Sequence, residues 1–246
     1  MSALALSYRE CQGSKRHPRR RVTHRRRDRS VRSSAVGGER SRRSLRYTAR
    51  VITDPAPRDA VTRKQFDASE RLSVFAPPPP TDALQLATTQ FCEAVSGGTS
   101  ADVRRASVAV LAPLCDFFDV TPPPIRVLGI QPHQVREGVT TYKLYGDYTP
   151  DTQVIRVWLK TAIREKVSTP RSLLSTLLHE FCHHLDCAKL SWTESFHTRG
   201  FYNRVDQLYH LALATPEAQR RELVWVRAGG VWRIDWVRSR APSAAR

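Results

Sequence analysis

A chain of 246 residues with 40 Lys and Arg, 23 Asp and Glu and a formal net charge of +17 is long enough for one sizeable core plus tails. No apolar run approaches the roughly eighteen residues of a membrane span. Five cysteines, Cys11, Cys92, Cys115, Cys182 and Cys187, lack the spacing of a disulfide framework, so a stapled secreted scaffold is excluded and a reducing, cytoplasmic setting is expected.

The charge is unevenly placed. Residues 1–50 hold sixteen Lys and Arg against three Asp and Glu and almost no apolar clusters, which predicts a disordered Arg-rich tail. Three readings of that tail stand side by side. Clustered Arg neutralises phosphates and binds nucleic acid without needing a fold. An Arg-rich, acid-poor stretch also serves as a targeting segment. Arg outnumbers Lys 34 to 6 across the chain, which is the mark of a general bias with no partner. The opening Ala3 to Leu6 is too short for a signal-peptide core, and Arg9 and Glu10 close it. Residues 51–80 balance four basic against four acidic groups and end in Pro77 to Pro80, so they read as a stiff Pro-rich linker.

The folded part is expected over 81–238, with a frayed C-terminus at 239–246. Asp82 to Val95 and Ala101 to Phe118 read as helices separated by Gly97-Gly98. The second helix carries Val103, Ala106, Val110 and Leu114 near helical spacing. Pro122 to Pro124 stops that run, and Ile125 to Leu128 begins a first strand. Val139 to Tyr148 and Gln153 to Leu159 supply two more, with Tyr148-Thr149-Pro150-Asp151 as the turn between them.

Thr169 as N-cap and Pro170 at the first helical position then predict a helix from Pro170 to Lys189. Leu174, Leu177, Phe181, Leu185 and Ala188 form its core stripe, while His179, His183 and Asp186 fall on the opposite face. Two histidines four apart lie one above the other and clamp a metal ion from one side. Glu180 is placed to hydrogen-bond a water beside that ion, the general-base role of an H-E-x-x-H motif. A second helix is expected to start near Ser195, with Phe201, Val205, Leu208 and Ala212 at helical spacing and His197 in its first turn. There the helix dipole favours a neutral ring. His197 is the first choice for a third ligand, and Asp186, Glu194 and Glu217 are its rivals. Asp186 can equally orient a ligating imidazole from behind. His184, Cys182 and Cys187 read as structural. Pro216 to Leu223 adds a short helix, and Val224 to Arg227 with Val231 to Trp236 flank Ala228-Gly229-Gly230 as a β-hairpin. Its Trp232, Ile234 and Trp236 share a face that packs on a core, with base stacking as the alternative. The expected class is α+β, with about three strands packed on the metal-binding helix and its neighbours.

The run HEFCHHLD followed by SFHTRGFYNRVDQL resembles the SprT-like zinc metallopeptidases, in which a third His and a Phe four residues later follow the H-E-x-x-H helix, as His197 and Phe201 do here. The likeness covers roughly residues 125–213. It implies a zincin-like fold, Zn2+ held by His179, His183 and His197, Glu180 as catalytic base, and a protein or peptide substrate, with some family members acting on proteins crosslinked to DNA. Thr198 stands where members carry a small residue, and no Cys-x-x-Cys pair of a zinc ribbon is present. HEFCHHLD alone also resembles the MtfA-type peptidases, whose third ligand is a distant Glu. Zincins lay an extended substrate along a sheet edge, and by that resemblance Gln153 to Leu159 is the candidate edge strand, with a plain core strand as the alternative. Tyr202, Arg199 and Tyr145 are candidate donors to the oxyanion. The metzincin pattern is excluded, because Asp186 replaces its Gly, Lys189 its third His, and Met1 is the only methionine. The competing reading is a non-catalytic, nucleic-acid-associated protein with a metal-stabilised scaffold and an Arg-rich binding tail.

Overall fold

The computed structural model describes residues 51–136, 139–161, 165–220 and 222–239, without the side chains of 133–143. The basic tail at 1–50 and the end beyond residue 239 lie outside them. The fold is mixed α+β. Helices α1 (Ala60–Arg71), α2 (Asp82–Gly97) and α3 (Ser100–Phe118) are followed by strands β1 (Ile125–Ile130), β2 (His133–Arg136), β3 (Val139–Lys143), β4 (Gly146–Thr149) and β5 (Val154–Lys160). Helices α4 (Pro170–Ala188) and α5 (Arg199–Ala212) come next, then the hairpin β6 (Trp225–Ala228) and β7 (Val231–Ile234). None of the helices among the described residues is long and apolar enough to cross a membrane.

The helix ends are set by side chains. The Thr99 hydroxyl and the Asp102 carboxylate cap each other's backbone N–H at the start of α3, and Asp119 ends that helix in the left-handed region at φ 53. The Thr169 hydroxyl accepts from Ser172 N, with Pro170 at the first position of α4. Helix α4 is the central element of the fold: Leu173, Leu174, Leu177, Leu178, Phe181 and Leu185 are all at most 2% exposed. Each such side chain contributes roughly 1.5–3 kcal/mol relative to exposure. With core on one side, α4 still buries His183 and Glu180 on the other.

The larger sheet has the order β1-β5-β4, with β1 parallel and β4 antiparallel to β5. This corrects the edge assignment: β5 is the middle strand, and β4 is the edge beside α4. Val139 to Tyr148 is also not one strand. It divides at Leu144 and Tyr145 into β3, which pairs with β2, and β4, which pairs with β5. The expected helix at 216–223 shortens to a 3-10 turn at Glu217–Gln219. Gly229 at φ 65 makes the turn of the β6–β7 hairpin. Ile234 is buried, and Trp236 packs on the main core from just beyond the strand.

The largest correction concerns residues 51–80. The segment read as a linker carries α1 and closes against the rest of the fold. Val51 O accepts from Ile234 N at 3.2 Å, Thr53 N donates to Trp232 O at 2.8 Å, and Trp232 N donates to Thr53 Oγ1 at 2.9 Å, so 51–53 runs beside β7. Helix α1 then docks on α5 and the turn before it through several polar contacts and an edge-on contact of Phe66 with Phe196, ring centroids 5.5 Å apart. Ser69 Oγ and Thr198 Oγ1 are 2.8 Å apart, and Glu70 pairs with Arg199. Arg204 caps the carbonyls of Ser69 and Leu72 at 3.3 and 2.6 Å. The approach depends on Gly200, where a Cβ would lie 2.0 Å from Ser69 O and 2.8 Å from Leu72 O. Gly200→Ala is therefore expected to dislodge α1 at a cost of about 3 kcal/mol or more, read as a fall in the denaturant midpoint. An unchanged midpoint would mean the helices do not meet this closely.

Candidate metal centre

His179 and His183 project from one face of α4, and His197 reaches them from the turn before α5. His179 Nε2 and His183 Nε2 each lie 3.0 Å from His197 Nε2, and the three ligand atoms fall within 4.8 Å of one another. A tetrahedral ion with nitrogens at 2.0–2.1 Å holds its ligand atoms roughly 3.3 Å apart, so the two distances to His197 come within a few tenths of an ångström of that spacing. Among the described residues this is the one group of three or more His, Cys, Asp or Glu with metal-binding geometry.

The turn corrects one expectation. Helix α5 begins at Arg199, not near Ser195, because the Thr198 hydroxyl takes the cap by accepting from Phe201 N at 3.0 Å. His197 thus precedes the helix. Its ring is kept neutral by burial, the largest cause, against the opposing pull of Asp54. Burial likewise holds His183 and His179 well below the usual imidazole range, with the neighbouring rings adding to it.

The outer contacts decide which nitrogen carries the proton. His197 Nδ1 lies 3.2 Å from Asp54 Oδ2, so it bears the proton and Nε2 presents a lone pair. Ser195 Oγ donates to Asp186 Oδ2 at 2.7 Å and so accepts from His183 Nδ1, also at 2.7 Å. His183 Nε2 is then a lone pair too. Two lone pairs facing each other at 3.0 Å repel, and burial resists the proton that would join them. A cation removes the conflict, so the donor set suits a metal ion.

The rival ligands are elsewhere. Asp186 is fully buried against Arg204, with Oδ1 accepting at 2.7 Å, and burial still pushes its carboxyl up to about 6. It acts on His183 through Ser195 and is not in the metal group; nor are Glu194 and Glu217. His184 is engaged behind the helix, its ring nitrogens 2.9 Å from Thr121 O and 3.3 Å from Tyr148 Oη. The Cys182 and Cys187 thiols are pushed up by burial, which disfavours thiolate ligation.

Glu180 is 4% exposed, and burial, then the Asp147 carboxylate, raise it well above the usual carboxylate range. Strand β4 leaves it room only because residue 146 is glycine. A Cβ there would meet Thr176 Cγ2 at 2.6 Å, Glu180 Oε1 at 2.8 Å and Glu180 Cγ at 2.9 Å. Gly146→Ala should displace the carboxylate and cost about 1–3 kcal/mol of stability. Metal binding at the three histidines should survive, because the clash touches none of them. A variant of wild-type stability would show that the strand and helix are not this close.

Of the three proposed donors, Arg199 is held by Glu70 and lies over Trp232 at 4.2 Å. Tyr202 is the one against the cluster, its ring 6.0 Å from that of His179 and 5.8 Å from that of His197. Its hydroxyl is buried with no hydrogen-bond partner among the described residues. No such ring contact joins Tyr145 to the histidines. Asp54, Ser195, Arg204 and Gly146 were missed as parts of the site. Ser195 and Arg204 lay in the run that carries the family resemblance, while Asp54 and Gly146 lay far from it in sequence. Comparison with protein-family models, curated proteins and solved structures finds no match.

Proposed function

We propose that this chain is a zincin-like zinc metallopeptidase of the SprT-like type that hydrolyses peptide bonds. The observation carrying this reading is the meeting of the His179, His183 and His197 ligand atoms within 4.8 Å of one another, with the buried Glu180 next in the chain to His179. His179, His183 and His197 would hold the ion. Bound zinc supplies Lewis-acid activation of a water and of the scissile carbonyl. Glu180 would accept the proton of the attacking water at a carboxylate oxygen and deliver it to the leaving amine. The Tyr202 hydroxyl, without a hydrogen-bond partner among the described residues, would be a donor to the developing oxyanion. Strand β4, at the edge of its sheet beside Glu180, offers backbone groups to an extended peptide, so recognition reads main chain more than sequence.

The test is hydrolysis of an unfolded protein by the zinc-loaded chain, with and without DNA. Cleavage should stop on chelation and return with zinc. Failure to cleave under any of these conditions would remove the hydrolase reading. Stimulation by DNA that is lost on deleting residues 1–50 would favour a nucleic-acid role for the tail.

A further inference from the structure

We propose that Asp54 is a positioning residue of the metal centre: its carboxylate fixes the tautomer and orientation of His197 from a segment held by the C-terminal hairpin. This rests on the metal-binding reading of the three histidines, and not on hydrolysis.

The grip is threefold. Asp54 Oδ2 accepts from His197 N at 2.9 Å and from His197 Nδ1 at 3.2 Å, and Asp54 N donates to His197 O at 3.0 Å. Backbone and ring of residue 197 are thus anchored to one residue 143 positions earlier. The need for such an anchor follows from the chain. His197 lies outside α5, so no helical backbone bond sets its ring, whereas His179 and His183 are fixed by α4. Asp54 in turn is placed by its neighbours, since Thr53 exchanges two hydrogen bonds with Trp232 and Val51 O accepts from Ile234 N.

His183 has a parallel arrangement through Ser195, Asp186 and Arg204, all on or between α4 and α5. The Asp54 arm is different, because it enters from the segment before α1, outside the stretch on which the family resemblance rests. A carboxylate behind a ligating imidazole holds the ring in place and makes its free nitrogen a better donor, and its loss typically lowers metal affinity 10–100-fold.

The experiment compares full-length wild type with Asp54→Asn, Asp54→Ala and Ser195→Ala. Zinc affinity is measured by competition with a chromogenic chelator, cobalt(II) binding by its visible absorption, and metal-free folding by thermal melting. Asn retains an oxygen for the His197 amide but not the charge. Asp54→Asn should therefore melt near wild type without metal yet bind zinc about 10-fold more weakly and alter the cobalt bands, with Asp54→Ala weaker still, to about 100-fold. A purely structural role would lower the metal-free melt and leave the Asn variant's affinity and cobalt spectrum unchanged, which would overturn the proposal. Zinc affinity within twofold of wild type in both Asp54 variants would also overturn it. Weakened zinc binding in a chain that cleaves no protein would leave Asp54 as proposed while removing the hydrolase reading. A wild-type chain that binds no zinc would remove both.

Discussion

Glu180→Gln is expected to keep one zinc per chain while cutting turnover on unfolded protein by about 10²–10⁴-fold, the usual worth of a positioned general base. Glu180 is outside the group of three metal-holding residues, so the change leaves every ligand in place. Glutamine matches the carboxylate in shape and fills the space left by Gly146 without new contacts. It also removes a buried group whose charged form is disfavoured by burial and by Asp147, so folding should be unharmed or slightly improved. Stability rising while activity vanishes is a combination that a structural residue does not produce. Full activity in this variant would take the general-base role from residue 180.

Arg204→Met should bring the largest loss of stability among single changes, about 3–5 kcal/mol. Arg204 and Asp186 are both at 0% side-chain exposure and 2.7 Å apart, and the same guanidinium caps the carbonyls of Ser69 and Leu72 at the end of α1. Methionine fills much of the volume but leaves a buried carboxylate unpaired and two carbonyls without their donor. For a domain of this size that is a fall of roughly 10 °C in melting temperature. Asp186 should then take up a proton at higher pH than at present, since the Arg204 charge is the largest influence opposing its burial, ahead of the Ser195 hydrogen bond. Its hold on Ser195, and through it on His183, weakens with the charge, so zinc affinity should fall as well. Adding Asp186→Asn to Arg204→Met should recover part of the lost stability by removing the stranded charge; a fully additive pair would show the two side chains do not interact.

What was legible in the sequence had local causes. Thr169 and Pro170 placed the start of α4, and i, i+4 spacing put His179 and His183 on one face. His197 follows close enough that one turn can return it to them. What was illegible depends on distant partners. β5 looked like a possible edge because a central strand and an edge strand share the same β-branched, aromatic composition, and only the neighbours tell them apart. Residues 139–148 read as one strand because alternation carried through Leu144 and Tyr145, although the close packing at Gly146 belongs to a different sheet. The segment 51–80 read as a linker because the residues that dock it are scattered: Ser69, Glu70 and Asp54 bind Thr198, Arg199 and His197, while Val51, Phe66 and Phe75 pack at spacings that announce neither a helix face nor a strand.

The account is tested most directly by X-ray absorption at the zinc edge, on the full chain loaded with one equivalent of the metal. Three imidazole nitrogens and one further light atom at about 2.0–2.1 Å are expected, with one imidazole lost in His197→Ala. Sulfur near 2.3 Å, or a spectrum that His197→Ala leaves unchanged, would contradict it.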